Sequence, residues 1–458
     1  MRSSASPGAR LQGGSRALAL EIAAEARAEW GFASDIIARS FRAHRELPSG
    51  DRRKISETVY GLIRMDRRLD AILEELRGQR RADAAVGPAA FADLSPVARD
   101  ALKLVIHELR EGLPPEAARD EAKRWLGAEV DLARVVDEDA GLGKRTGLER
   151  EAVRLSVPTW MLEQFTNDYG PERGAALADA MNRRAPMALR VNTARISRDA
   201  LVARLAEEHV VAKPTPLAPA GLVLETRVNA FGLSAFQEGL FEVMDEGSQL
   251  VAEVVAPPPG GRVVDACAGA GGKTLAIGAS MANKGRLLAL DTDGKKLEEL
   301  RRRARRAGLT NVAARAVEGE GAASLPAEAK RGAWDRVLVD APCSGLGTLR
   351  RNPEARWRLT PAAVKSFPAR QLALLVTYAP LVAEGGRLIY ATCSVVEDEN
   401  EGVVSRFLAE RDDFVRVPVK EIWGKERAAA VGDELSLRLL PNVHDTDGFF
   451  AAVLRRVR

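Results

Sequence analysis

At 458 residues the chain is too long for one ordinary domain, and 46% apolar content is enough for a real core, so two or three domains are expected. Lys and Arg number 68 against 64 Asp and Glu, a net charge of only +4, which excludes a wholly basic molecule and confines any nucleic-acid surface to local patches. No apolar run reaches membrane-spanning length and the opening MRSSASPGARLQGGSR has no signal-peptide core, so a cytoplasmic protein is expected.

From Gly14 to Leu142 the segments ALALEIAAEARAEW, ASDIIARSFRAH, RRKISETVYGLIRM, RLDAILEELRG, PVARDALKLVIHEL and PEAARDEAKRWLG carry apolar residues at helical spacing. Pro48, Pro88, Pro96 and the pair Pro114-Pro115 fall at the breaks. An all-helical domain over 1–145 is predicted. Its charge is uneven: Asp51 to Arg81 holds nine bases against six acids, while Glu108 to Arg150 holds eight against eleven. Arg52, Arg53, Lys54, Arg64, Arg67 and Arg68 are candidates for a phosphate-contacting face, with an ordinary solvated helix surface as the alternative.

GKRTGLER is a polar linker. VPTWMLEQFTNDYG and RGAALADAMNR predict two helices, MALRVNTARIS a strand, DALVARLAEEH a helix and GLVLE a second strand. Together they form a small α+β segment over 146–230. From 231 to 458 strand and helix alternate. After the lead-in FEVMDEGSQ, the runs RVVDAC, RLLALD, NVAARAV, DRVLVDA and GRLIYATC predict five buried strands, and FFAAVLRR a late antiparallel one. This is the pattern of a doubly wound Rossmann-like α/β domain, with ligands above the carboxyl ends of the strands.

The first of those strands runs into RVVDACAGAGGKT, a glycine-rich turn followed by LAIGASMA at helical spacing. A P-loop needs glycine where Cys267 stands, and a dinucleotide fingerprint needs one where Thr274 stands. Asp291 lies 20 residues beyond Gly271, near the offset of a ribose-gripping carboxylate. A nucleoside without pyrophosphate fits best, and S-adenosyl-L-methionine is the candidate. The cofactor-binding set is Cys267, Ala268, Gly269, Ala270, Gly271, Gly272, Lys273, Asp291 and Asp340, with an acid from AVEGEGA on the adenine side.

Three cysteines, Cys267, Cys343 and Cys393, show no CxxC spacing, and the four histidines are scattered, so neither a disulfide framework nor a metal site is expected. All three cysteines fall at strand ends: DACAGAGGKT, DRVLVDAPCSG and LIYATCS. These three motifs, in this order, resemble the signatures of the RNA cytosine-5 methyltransferases, the family of bacterial Sun/RsmB and eukaryotic Nop and NSUN proteins. The likeness covers roughly the last half of the chain. Upstream, DRRKISETVYGLIR looks like the NusB-like RNA-binding domain fused to the front of bacterial members, and the α+β segment resembles their RRM-like unit. Bacterial relatives usually close the helical domain with a basic helix, whereas VDLARVVDEDAGL here is acidic. The α+β segment is expected to wall the RNA cleft, with Arg190 and Asn192 as candidate contacts and structural surface residues as the equal alternative. Arg350, Arg351, Arg356 and Arg358, with Trp357 interleaved, read as a candidate phosphate-contacting loop.

Cytosine carbon 5 is a poor nucleophile until a thiolate adds at carbon 6. Such a site needs a thiolate, an acid near ring nitrogen 3 and a base. Cys343 and Cys393 both qualify, and chemistry alone does not rank them. The resemblance implies that Cys393 attacks carbon 6 and Cys343 helps release the product; DNA cytosine methyltransferases use a Pro-Cys nucleophile, the reverse assignment. Asp340 is the residue expected to hold the base, Lys273 to steady a carboxylate or the cofactor, Asp245 to orient Lys273 or the turn, and Cys267 to pack the turn. The run Lys295 to Arg306 reads as a solvated helix. Two departures stand out: Ala270 replaces the usual proline of CAAPGGKT, and Glu320 (or Glu318) replaces the usual adenine-side aspartate. The expected activity is S-adenosylmethionine-dependent RNA cytosine-5 methylation of small-subunit ribosomal RNA by a monomer. A transfer-RNA substrate and a non-catalytic RNA-binding assembly factor are the rivals.

Overall fold

The computed structural model describes residues 13–79, 94–126, 131–319 and 321–458. Pro88 and Glu320 lie outside the described residues. The chain divides into two compact units, Met1–Arg183 with Leu349–Pro361, and Arg184–Thr348 with Ala362–Arg458.

The described part of the first unit is helical: Gly13–Glu29, Ala33–Ala43, Ser49–Gln79, Pro96–Arg110, Pro115–Leu126, Gly147–Arg154, Thr159–Tyr169 and Pro171–Ala180. Local chemistry sets the boundaries. Ser95 accepts from the Ala98 amide at 3.2 Å, and Pro96 occupies the first turn, where no backbone donor is needed. Leu62, Leu69, Ile72, Leu102, Val105 and Ile106 bury the facing stripes. Among its described residues, 131–142, the acidic segment contains one 3₁₀ helix, Ala133–Val136.

The expected basic face is partly engaged by the protein itself, with Arg68 buried and Arg52, Lys54, Arg64 and Arg67 half-buried. Arg68 is 1% exposed and donates to the Glu138 carbonyl, Arg67 donates to the Val157 carbonyl and Glu149, and Arg52 to the Leu47 and Arg45 carbonyls. Of the six residues only Arg53 is exposed. The arginine loop after Cys343 also departs from expectation. Arg356 is fully buried and donates to the Ser156 carbonyl (3.2 Å), the Met181 carbonyl (3.1 Å) and Asn182 Oδ1 (2.6 Å). Trp357 donates to the Ile63 carbonyl at 2.8 Å and packs on Trp30, and Arg350 is 4% exposed. Burial removes Arg350 and Arg356 from the phosphate-contact set, and the bonds of Arg356 and Trp357 fasten the loop to the helices.

The second unit opens with four short antiparallel strands, β1 (Ala188–Val191), β2 (Ala212–Pro214), β3 (Gly221–Leu224) and β4 (Phe241–Val243), in the order β2-β3-β1-β4. β2 has too few residues to show alternation, and β4 lies in the segment read as a lead-in. Arg190 and Asn192 face inward, at 3% and 1% exposure. Asn192 donates to the Gly239 and Ala307 carbonyls at 2.8 and 2.9 Å, a structural junction rather than the RNA contact expected.

The larger sheet contains β5 (Arg262–Asp265), β6 (Arg286–Asp291), β7 (Val312–Ala316), β8 (Trp334–Asp340), β9 (Val382–Thr392), β10 (Phe414–Val417), β11 (Leu437–Leu439) and β12 (Phe449–Arg456). Its order is β10-β12-β9-β8-β5-β6-β7, with β11 on β12; β5 to β9 are parallel and β12 runs antiparallel to β9. Val264, Leu288, Val337 and Leu388 bury one face, and Val263, Leu287, Leu338 and Ile389 the other. Both faces are covered, which is why the strands read as continuous apolar runs. The Rossmann-like expectation holds, and the strand order reverses between β5 and β8. A crevice opens there above the strand ends.

Candidate active site

The turn after β5 is held from three sides. The Ala268 amide donates to the Leu290 carbonyl and the Gly271 amide to the Ala268 carbonyl, each at 2.9 Å, and Arg303 donates to the Ala270 carbonyl at 2.7 Å. Gly271 adopts φ 87° and caps the helix Gly272–Ser280, and a side chain there would collide with Leu300. Arg303 belongs to the run read as a solvated helix. Arg303 and Arg306 instead pair with buried Glu242. That contact supports the turn where the family's proline is missing.

Asp291, at the end of β6, accepts from the Gly269 amide on one oxygen and the Asp293 amide on the other, both at 2.8 Å. The carboxylate is thereby oriented, and each oxygen keeps a lone pair for a further donor. A cavity of about 290 Å³ lies against it, lined among others by Cys267, Gly269, Asp291, Asp340, Pro342 and Leu374. Its wall is mixed, with the Asp291 and Asp340 carboxylates and the basic Lys296 and Arg370 beside apolar Leu374 and Val317, which suits a nucleoside carrying a short charged arm. Val317 and Gly319 also line it, while Glu318 is exposed.

Lys273, the second residue of the helix, pairs with Asp340 at 2.7 Å. Burial would depress this lysine, but the Asp340 carboxylate outweighs it, aided by charge at Cys393 and Asp265, and the net shift is upward. Asp245 caps the helix Glu246–Val254 through the Gly247 amide at 2.8 Å and accepts from the Asp447 amide. Beneath the site is Asp265, which sequence reasoning passed over as the last residue of a strand. It is 1% exposed, accepts from Thr274 at 2.6 Å, and leaves Oδ1 without a partner. Burial raises it to about 7 against the opposing Thr274 bond, with the neighbouring Asp340 charge adding to the rise.

The two cysteines converge. β8 and β9 are parallel neighbours, so the loops that follow them meet, and Cys343 Sγ lies 3.4 Å from Cys393 Sγ. The approach is close enough that Gly347 donates to the Cys393 carbonyl at 2.9 Å and accepts from the Gly448 amide at 2.8 Å. A side chain at Gly347 would strike both the Gly448 and Cys393 carbonyls. The Cys343 thiol is pushed well above its usual range by its bond to Cys393, then by burial and the charges of Cys393 and Glu399.

Known proteins show where this arrangement belongs. Residues 252–455 match the family model for 16S rRNA methyltransferase RsmB/F, and residues 157–230 match the RsmF/B-like ferredoxin-like domain. A probable ribosomal RNA small subunit methyltransferase B of Synechocystis is 32% identical over 446 residues, covering 92% of this chain and 94% of that protein. The solved structure of PH0851 is 26% identical with a TM-score of 0.77, covering 98% of this chain and all of the other. A methyltransferase homologue from Pyrococcus horikoshii is 29% identical with a TM-score of 0.57, covering 68% and 98%. Fold, motif order and these likenesses agree: the chain belongs to the RsmB/Sun-like family of RNA cytosine-5 methyltransferases.

Proposed function

We propose that this protein is an S-adenosylmethionine-dependent methyltransferase acting on cytosine carbon 5 of small-subunit ribosomal RNA, with Cys393 as nucleophile. The observation that carries the reading is the pair of thiols 3.4 Å apart at the ends of adjacent strands, on the same edge of the sheet as the Lys273–Asp340 ion pair. Asp291 is suited to grip the ribose, and the turn from Cys267 to Lys273 to line the methionine side. S-adenosylmethionine, when bound, supplies an electrophilic methyl group.

The remaining steps belong to the chain's own residues. The Cys393 thiolate adds to carbon 6, which sends the ring's electron pair toward carbon 5 and builds negative charge at nitrogen 3. Asp340, held at Oδ2 by Lys273 Nζ, is placed to engage that nitrogen face of the ring. Cys343, with its sulfur 3.4 Å from that of Cys393, is placed to take part in release of the adduct. Once carbon 5 has taken the methyl group, its proton passes to water as the general base, which expels the Cys393 thiolate and restores the aromatic ring.

Purified protein, S-adenosylmethionine and unmodified small-subunit ribosomal RNA, followed by bisulfite sequencing, test the reading. One protected cytosine is the expected result. Methyl transfer to another atom, or none to this RNA, would overturn it.

A further inference from the structure

We propose that Glu399 is a positioning residue that ties the Cys343 loop to the Cys393 loop and sets the spacing of the two thiols; this rests on the cytosine-5 reading. Glu399 is fully buried. In sequence it reads as one acid of EDEN at a helix start, where acids are ordinary. Its surroundings say otherwise. Oε2 accepts from the Ser344 amide at 2.8 Å and from Gln371 at 3.0 Å. Oε1 accepts from the Ser344 hydroxyl at 2.5 Å and the Ser394 hydroxyl at 2.7 Å.

Ser344 and Ser394 are the residues directly after Cys343 and Cys393. One carboxylate therefore grips both loops at corresponding positions. The direction of the bonds follows from the carboxylate, which can only accept, so each hydroxyl points its proton at Glu399. The Val396 amide donates to Ser394 Oγ at 3.1 Å and the Leu346 amide to Ser344 Oγ at 3.4 Å, and the two hydroxyl oxygens lie 3.1 Å apart. Gln371, from the helix Pro361–Tyr378, also donates to the Pro342 carbonyl at 3.1 Å, and Asn400 Nδ2 to the Ser394 carbonyl at 3.0 Å, so the hydrogen-bond partner and the chain neighbour of Glu399 clamp both motifs. A group with four donors and no free acceptor position suits a carboxylate and nothing else in the side-chain inventory. Its negative charge also helps keep the proton on Cys343.

The test is Glu399→Gln. The amide nitrogen cannot accept, so in either orientation one set of donors loses its partner and one loop is released. The spacing is read without catalysis: diamide takes two hydrogens from the two thiols and leaves a disulfide, mapped by peptide mass spectrometry. The Cys343–Cys393 disulfide should form at least about tenfold more slowly than in the unaltered protein, and kcat should fall about 100-fold with KM for RNA nearly unchanged.

Ser344→Ala and Ser394→Ala release one loop each and carry the test if Glu399→Gln does not fold. Ser394→Ala should slow adduct formation, and Ser344→Ala should slow adduct release. Unaltered crosslinking and kcat in all three variants would overturn the proposal, as would equal loss of kcat and RNA binding with a collapsed melting temperature in the two serine variants. An unaltered protein that crosslinks readily but transfers no methyl to cytosine would instead sink the cytosine-5 reading.

Discussion

Asp265→Asn should make the second unit more stable at neutral pH, and the size of the gain follows from burial. In the folded protein Asp265 is raised from 3.8 to about 7, first by burial, against which the Thr274 bond works, and then by the Asp340 charge. Below about pH 3.8 both folded and unfolded chains carry it protonated, and it costs no stability. As pH climbs toward 7 the unfolded chain releases this proton and the folded chain keeps it. Stability then falls by about 1.4 kcal/mol per pH unit, a total of about 4 kcal/mol. Above about pH 7 both states are ionised and the slope disappears. Asparagine cannot ionise, yet its Oδ1 can still accept from Thr274, so the variant lacks only this loss. Denaturant titrations from pH 5 to 9, read by hydrogen exchange of β5 peptides, isolate the second unit. Between pH 5 and 7 the variant should gain about 3 kcal/mol on the unaltered protein, and the difference should then level off. A difference independent of pH would show that Asp265 does not titrate in this range and would refute the argument.

Asp291→Ala should weaken S-adenosylmethionine binding by roughly 10- to 150-fold, the loss of a charged hydrogen bond worth about 1.5–3 kcal/mol; calorimetry showing unchanged affinity would remove Asp291 from the site. Arg356→Ala should lower the melting temperature of the helical unit, because buried acceptors at Ser156, Met181 and Asn182 lose their donor. The cost should be about 3 kcal/mol or more, and a change under about 0.5 kcal/mol would return the residue to the surface set.

Much of the site was legible because chemistry and fold share the same signals. The apolar runs that make β5, β6, β8 and β9 end in the motif residues, so finding the strands also located Asp291, Asp340, Cys343 and Cys393. What sequence hid was the third dimension of the polar residues. Arg356 and Arg303 look like solvent-facing charge until their carbonyl and carboxylate partners, far away in sequence, are seen. Glu399 and Asp265 carry no periodic signature, since a buried acid at an element boundary reads like an ordinary cap. Short β2 and β11, three residues each, are made by pairing rather than by pattern.

The division of labour between the two thiols is the central claim, and a denaturing gel tests it most directly. Cys343→Ala and Cys393→Ala proteins are each incubated with S-adenosylmethionine and small-subunit ribosomal RNA, then heated in detergent. Cys343→Ala should methylate and stall, giving a slow-migrating covalent protein–RNA band, whereas Cys393→Ala should give neither band nor methyl transfer. A stalled band from Cys393→Ala and none from Cys343→Ala would reverse the assignment, and full activity with no band from either would contradict cysteine catalysis altogether.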